Sequence, residues 1–328
     1  MLTRRSMTFG LANLCLASAF TATAMPAFAQ TYPARPVKLI VPYAAGGGTD
    51  AIARLVAQAV SEQLGQTMVV ENNGTAGGNV ASQQVAGAPA DGYTVLMANQ
   101  GPMVVNPHLF KSMKVDPLQA FEPVTLITSA PLVFVVPAKS KFTSFKQFIA
   151  EAKANPGKLS YGSAGNGSAS HLAVVLLAQL AGLDFAHVPY RGAGPALNDL
   201  VSGQTDFMIT TMPSVSGQIE GNIVRALAVT TKERTKKLPD IPTIAESGFA
   251  QYDTGAWYGF VVPKGTPASV VAILRKATVT AINQENVKAR FANEGAEPIG
   301  SEPAEFSAMM KAESRRWADL IGKTKMEM

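Results

Sequence analysis

VKLIVPYAAGGGTDAIARLVAQAVSEQLG, residues 37–65, is the stretch whose reading decides the fold. Val37–Val41 is a near-continuous apolar run ended by Pro42, the pattern of a strand buried on both faces. Tyr43–Gly48 follows as a glycine-rich turn. A helix is then predicted from about Thr49 to Leu64. Its apolar residues Ile52, Leu55, Val56, Ala59, Val60 and Leu64 recur at helical spacing, and Gly65 stands where a helix ends. Strands at Met68–Glu71 and Thr94–Ala98, with a helix at Gly78–Val85 between them, continue the βαβ rhythm. The fold class is α/β, with mainly parallel sheets flanked by helices.

Further along, a second region repeats this rhythm. Strands are predicted at Leu159–Tyr161, Phe185–Pro189 and Phe207–Thr211, with helices at Ser170–Ala181 and Pro195–Val201. Helices near Ala268–Asn283 and Pro303–Leu320 close the chain. Phe134-Val-Val-Pro137 reappears as Phe260-Val-Val-Pro263, which suggests paired strands crossing between two domains, with chance similarity of a short apolar tag as the alternative. A length of 328 residues suits two domains. The expected division is 31–133 with 257–328 as the first, discontinuous domain and 134–256 as the second, inserted one, with a cleft between them.

Residues 1–30 are built like a cleaved signal peptide. Arg4 and Arg5 precede an apolar run from Phe9 to Phe20, and Ala27-Phe28-Ala29 supplies small residues before Gln30. Export through either the general or the twin-arginine route is open, although Ser6-Met7-Thr8 matches the latter poorly. The only cysteine, Cys15, falls in this leader without the small residue that a lipoprotein signal needs before it. The mature chain is then cysteine-free, which excludes thiol catalysis, disulfides and cysteine-based metal sites. The expected location is the periplasm. The formal charge of +5 drops to +3 once Arg4 and Arg5 leave. The densest basic cluster, Lys232, Arg234, Lys236 and Lys237, reads as a solvated loop, and with 7% aromatics the chain is no nucleic-acid platform.

Four strand-to-helix turns share one chemistry. PYAAGGGTD (42–50), YGSAGNGSAS (161–170) and YRGAGP (190–195) are glycine-rich, and Thr210-Thr211-Met212-Pro213 repeats the design with hydroxyls. Ligands of open α/β sheets sit beyond the carboxyl ends of strands, where such turns lie. Free N–H groups at helix starts carry partial positive charge, so the predicted ligand is a small anion. Gly162–Gly167 has P-loop spacing, but Ser168 stands where lysine is required, and Ser170 replaces the third glycine of a dinucleotide fingerprint. No Gly-x-Ser-x-Gly elbow occurs. His108, His171 and His187 lack metal-like spacing, so no metal and no cofactor are expected. His171 is either a donor to the ligand or a capping residue, and His187 a strand histidine. Arg191 either pairs with a carboxylate or faces solvent. Trp257 and Tyr258 line either the cleft mouth or the hinge. No nucleophile–base or acid–base set marks an enzyme, and no catalytic residue is assigned.

YPARPVKLIVPYAAGGGTD (32–50), ENNGTAGGNVA (71–81), ADGYTVLMAN (90–99), NPHLF (106–110), KLSYGSAGNGSASHLA (158–173), VPYRGAGPALNDLVSGQTDFM (188–208) and LPDIPTIAESG (238–248) occur in that order. Together they resemble the extracytoplasmic solute receptors of tripartite tricarboxylate transporters, the Bug or TctC family, over essentially the whole chain past the leader. The resemblance implies a two-domain periplasmic-binding-protein (Venus flytrap) fold closing on an organic acid, and delivery of that acid to integral membrane permease subunits by a monomer. It points to Tyr43, Ala45, Gly46, Asp50 and Asn99 in one domain. In the other it points to Ser163, Ala164, Asn166, Gly167, Ser168, His171, Gly192, Ala193 and Thr211. One departure is Gln100-Gly101-Pro102, where relatives carry small hydroxyl residues. A ligand-sensing partner of a signalling system and a small-acid enzyme are the other classes weighed.

Overall fold

The computed structural model describes residues 32–324; the expected leader, with Cys15, lies outside the described residues. The strands are β1 (Val37–Val41), β2 (Met68–Asn72), β3 (Thr94–Asn99), β4 (Phe121–Pro137), β5 (Ser160–Ser163), β6 (Ala186–Pro189), β7 (Phe207–Thr211), β8 (Val224–Val229), β9 (Gly255–Pro263) and β10 (Glu297–Pro298). The helices in the first half are α1 (Gly48–Leu64), α2 (Asn79–Ala86), α3 (Asn106–Leu109), α4 (Pro117–Ala120), α5 (Phe145–Ala154) and α6 (Ala169–Ala181). They continue with α7 (Ala193–Ser202), α8 (Met212–Glu220), α9 (Ala268–Ile282), α10 (Glu285–Asn293) and α11 (Pro303–Thr324). Among the described residues no helix is long and apolar enough to cross a membrane.

The strand order is β2-β1-β3-β9-β4-β7-β5-β6, with β8 and β10 also on β4. Both wings are parallel: β2 and β3 flank β1, and β6 and β7 flank β5. The strands joining them are antiparallel. Parallel pairing follows from the connections, since each wing strand is followed by a helix that returns the chain to the same end of the sheet. Glycine ends several of these helices in the left-handed conformation that a side chain disfavours, as at Gly65 (φ 64°) and Gly182 (φ 64°). The far half of β4 is anchored by aromatics: the Phe134 ring lies 5.2, 4.6 and 4.9 Å from those of Phe145, Phe148 and Phe207. Contacts of this kind add about 0.5–1.5 kcal/mol each beyond burial.

The two halves are lobes joined through β4. Its residues as far as Pro131 pair with β9, which begins at Gly255, and from Leu132 onward it pairs with β7 and β8. The repeated Phe-Val-Val-Pro segments are therefore not each other's partners. Phe134 pairs with Ile209 and Ala228, whereas Phe260 pairs with Thr125 and Met97. β4 and β9 do run side by side, but only β4 continues into the second lobe, which puts the two segments at opposite ends. At the exchange of partners Thr230, with 0% exposure, ties the passes together. Its hydroxyl accepts from the Leu132 N–H (3.0 Å) and faces the Leu132 (3.1 Å) and Thr254 (2.8 Å) carbonyls as a donor.

Gly259 of β9 shows how tightly the first lobe is packed. A Cβ there would collide with the fully buried Phe306 ring of α11 and come within 2.8 Å of the Thr125 carbonyl. Overpacking of this kind costs about 1–3 kcal/mol. Gly259→Ala is therefore expected to lower the unfolding free energy from urea titration by that amount, and adding Phe306→Leu to restore part of it.

Candidate functional site

The carboxyl ends of β1, β3, β5 and β7 and the first residues of β9 meet around one cavity of about 40 Å³. By the same measure one water needs roughly 10–15 Å³, so the space holds only a few small atoms while the lobes are in contact. Four helices open onto it with their first turns: α1 through Gly48 and Thr49, α6 through Ala169 and Ser170, α7 through Ala193, and α8 through Ser214. Among the described residues the Ala169 and Ser170 N–H groups have no acceptor within the protein. No lining side chain carries a formal charge. Positive potential therefore comes from aligned backbone dipoles rather than from lysine or arginine.

The lobes touch beside this cavity through one backbone–backbone bond and one backbone–hydroxyl bond. The Ala44 N–H donates to the Arg191 carbonyl at 2.9 Å, and the Gly48 N–H donates to Ser214 Oγ at 2.7 Å. A Cβ on Gly48 would collide with Thr211 Oγ1, and one on Gly194 would lie 2.9 Å from the Ala45 carbonyl. Glycine at these positions removes the atoms that would hold the loops apart.

Six of the residues expected at a site line the cavity: Tyr43, Asn99, Ala164, Ser168, Ala193 and Thr211. The others are placed around it. Ala45 and Gly192 lie in the inter-lobe contact, where a Cβ on Gly192 would meet Ala44. Asp50 is buried with its carboxylate turned to its own loop, accepting from Gly46 N–H, Arg54 Nε and Asn72 Nδ2 at 3.0 Å each. Burial opposes its ionisation, but these donors outweigh it and hold the carboxyl below the usual range. Ser163 is buried, with Oγ 2.6 Å from His187 Nε2 and accepting from the Gly165 N–H. Asn166 borders a separate groove with Gly77 and Arg191.

The His171 ring is held within its own loop. The Gly167 N–H donates to its Nδ1 at 3.1 Å, which places the ring proton on Nε2. The ring stacks on His187 at 4.3 Å, and His187 on Tyr161 at 4.6 Å. Burial, and after it the neighbouring His187, push His171 down to about 3; burial pushes His187 to about 4. Both rings are neutral near pH 7. They shape the second glycine turn, as does the N-cap Ser168, whose Oγ donates to the Gly165 carbonyl at 2.6 Å.

Among the lining residues Ser214 was not singled out from sequence, whereas Gln100, Trp257 and Tyr258 were. Ser214 sits one residue beyond the quoted hydroxyl turn, where it accepts from Gly48 and pairs with Thr211 at 2.8 Å. Gln100 lines the cavity with its amide oriented so that nitrogen donates to the Gly255 carbonyl (3.2 Å) and oxygen accepts from Trp317 Nε1 (3.0 Å). The amide thus braces the start of β9. Trp257 and Tyr258 line the cavity too, and their Nε1 and OH atoms are buried without a hydrogen-bond partner.

Residues 52–326 match the tripartite tricarboxylate transporter family receptor. The structure is similar to periplasmic binding protein BugD, with 37% identity, TM-score 0.87, and coverage of 90% of this chain and 100% of that one. It is also similar to a R. palustris protein solved with adipate, with 34% identity, TM-score 0.88 and 90% and 100% coverage. A third similar structure is MatC of Rhodopseudomonas palustris with bound malate, at 33% identity, TM-score 0.84 and 88% and 100% coverage.

The neutral histidines generate a pH dependence. In the unfolded chain a histidine binds a proton near pH 6.5, but in the folded protein only near 3 to 4. Their contribution is complete above about pH 6.5 and is lost as pH falls towards 4, because the unfolded state then binds more protons. Urea unfolding from pH 7 to pH 4 is expected to show this decline, with a shallower slope in His171→Gln.

Proposed function

The chain belongs to the tripartite tricarboxylate transporter receptor family, and from that premise we propose that it captures a small organic carboxylate between its lobes and delivers it to the membrane permease subunits of such a transporter. The observation that carries this reading is the cavity without formal charge onto which four helix starts open. Backbone N–H groups and hydroxyls satisfy a carboxylate's lone pairs without leaving an unpaired cation buried when the ligand departs. Similar proteins solved with adipate and with malate support the ligand class.

In this reading Ala164, Ser168, Ala193 and Thr211 hold the carboxylate from the second lobe, and Tyr43 and Asn99 close over it from the first. Asp50, Ser163, Gly167 and His171 keep the gripping loops in shape. Ala45, Gly46, Asn166 and Gly192 belong to the surfaces on which the lobes meet. The lobe boundary falls at Pro131–Leu132 and Thr254–Gly255, where β4 changes partners. The mature protein works as a periplasmic monomer after loss of residues 1–30. It binds its ligand without converting it, since the family is one of receptors and the cavity offers donors rather than an acid–base pair. A cavity of about 40 Å³ cannot admit such an acid as it stands. The lobes must part and close again, so the acid favours the closed arrangement through its differential affinity for it.

A thermal-shift screen of leader-free protein, unfolded and refolded to strip carried ligand, tests the reading. An organic acid at 100 times its Kd is expected to add about 2.7 kcal/mol and raise Tm by several degrees. X-ray scattering should show a smaller radius of gyration with that acid. A flat screen on refolded protein overturns carboxylate capture. Gly48→Ala, which pushes Thr211 and Ser214 away, is expected to weaken the acid roughly tenfold or more by depleting the closed form, with unfolding stability little changed.

A further inference from the structure

The free N–H groups at a helix start carry partial positive charge and favour an acidic residue in the first turn. Asp50, Glu285 and Glu305 occupy such places in α1, α10 and α11. The three helices that reach the cavity from the second lobe depart from this pattern. The first turns of α6, α7 and α8 hold no acidic residue. Arg191 instead stands immediately before Gly192, the N-cap of α7. A cation there opposes the helix dipole, so α7 gains no stability from it.

Nor does the Arg191 side chain serve a contact within the protein. Its backbone carbonyl accepts from the Ala44 N–H at 2.9 Å, which fixes the residue on the rim where the lobes meet. The guanidinium is exposed and, among the described residues, makes no ion pair, hydrogen bond or ring contact. It lines a groove of about 450 Å³ that spans both lobes, with Gly77 and Phe110 from the first and Gly165 and Asn166 from the second. No other residue of the groove is charged. The Asp199 carboxylate accepts from the Tyr190 OH at 2.6 Å and does not line it. Two second-lobe loops wall both this groove and the inner cavity. Asn166 stands between the cavity residues Ala164 and Ser168, and Arg191 stands shortly before Ala193.

We propose that Arg191 forms an outer landing site on the second lobe, which draws an organic acid to the rim of the cleft before the lobes close. The inference rests on the carboxylate-receptor reading and concerns the approach of the acid. The inner cavity has no formal charge, and helix dipoles fade within the first turn. A guanidinium attracts an anion over a Debye length, about 30 Å at 0.01 M salt and about 8 Å at 0.15 M. Arg191 stays in solvent when the lobes are in contact, so it does not hold the acid in the closed form. Its charge acts on association and far less on release, as rim charges do.

Stopped-flow tryptophan fluorescence on leader-free, refolded protein tests this, with Trp257 in the cavity wall as reporter. The probes are malate, adipate and the acid that raises Tm most in the thermal-shift screen. At an ionic strength of about 10 mM, Arg191→Gln is expected to slow association about threefold to tenfold, and at about 150 mM far less, with dissociation little changed. Arg191→Lys keeps the charge and should keep the rate, whereas Arg191→Glu should slow it further. Lys146→Gln removes one positive charge from α5, outside the cavity and the groove, and should leave association unchanged. Urea unfolding of Arg191→Gln is expected to need at least as much denaturant as the wild type, because the cation opposes the α7 dipole. Unchanged association in Arg191→Gln, equal slowing by Lys146→Gln, or a loss confined to dissociation overturns the landing site, and carboxylate capture then stands. If no acid of the screen binds, the receptor reading falls first and this site with it.

Discussion

Main chain meets main chain between the lobes, and the site depends on that approach. Where the Ala44 N–H donates to the Arg191 carbonyl, the loops of the two lobes are as close as backbone atoms permit, and beside it the Gly48 N–H donates to the Ser214 hydroxyl. One side chain longer than hydrogen at Gly48 or Gly194 would hold them apart. The same closeness brings the first turns of α1, α6, α7 and α8 to one cavity. Glycine therefore serves two ends: it lets the lobes come together, and it leaves N–H groups uncovered at the place where they come together.

An anion held by dipoles differs from one held by a salt bridge. A lysine or arginine in the cleft would have to be desolvated each time the lobes close, a cost of several kcal/mol. Amides and hydroxyls carry no such penalty, and their geometry is preset by the loops that bear them. That presetting is visible in groups that do not line the cavity at all. The Asp50 carboxylate stitches the first loop to α1 and β2, and the His171 ring accepts from the Gly167 N–H within the second.

Much of this was legible in the chain, and the exceptions have physical causes. The wings were readable because β1, β3 and β7 are mostly apolar runs and helices beside them end at glycine, as α1 does at Gly65 and α6 at Gly182. The first half of β4 was not, since FEPVTLITSAP mixes prolines with polar residues and carries two register shifts against β9. The site turns were marked by their glycines and hydroxyls. Orientation within them was not marked: Asp50 and His171 have the chemistry of ligand contacts, yet backbone donors four residues earlier in their own loops claim them. Tyr258, read from sequence as lining either the cleft mouth or the hinge, lies far from any glycine turn. Its place in the cavity follows from its pairing with Asn99 across β3 and β9, a long-range fact that no local pattern records.

The Thr230 hydroxyl bonds to Leu132 on β4 and to Thr254 just before β9, so the outgoing and returning chains are fastened to one atom. Two connections that bent separately would allow the lobes to twist as well as open. Fastened to one hydroxyl, the two connections resist bending separately, so a shift of one strand is passed to the other.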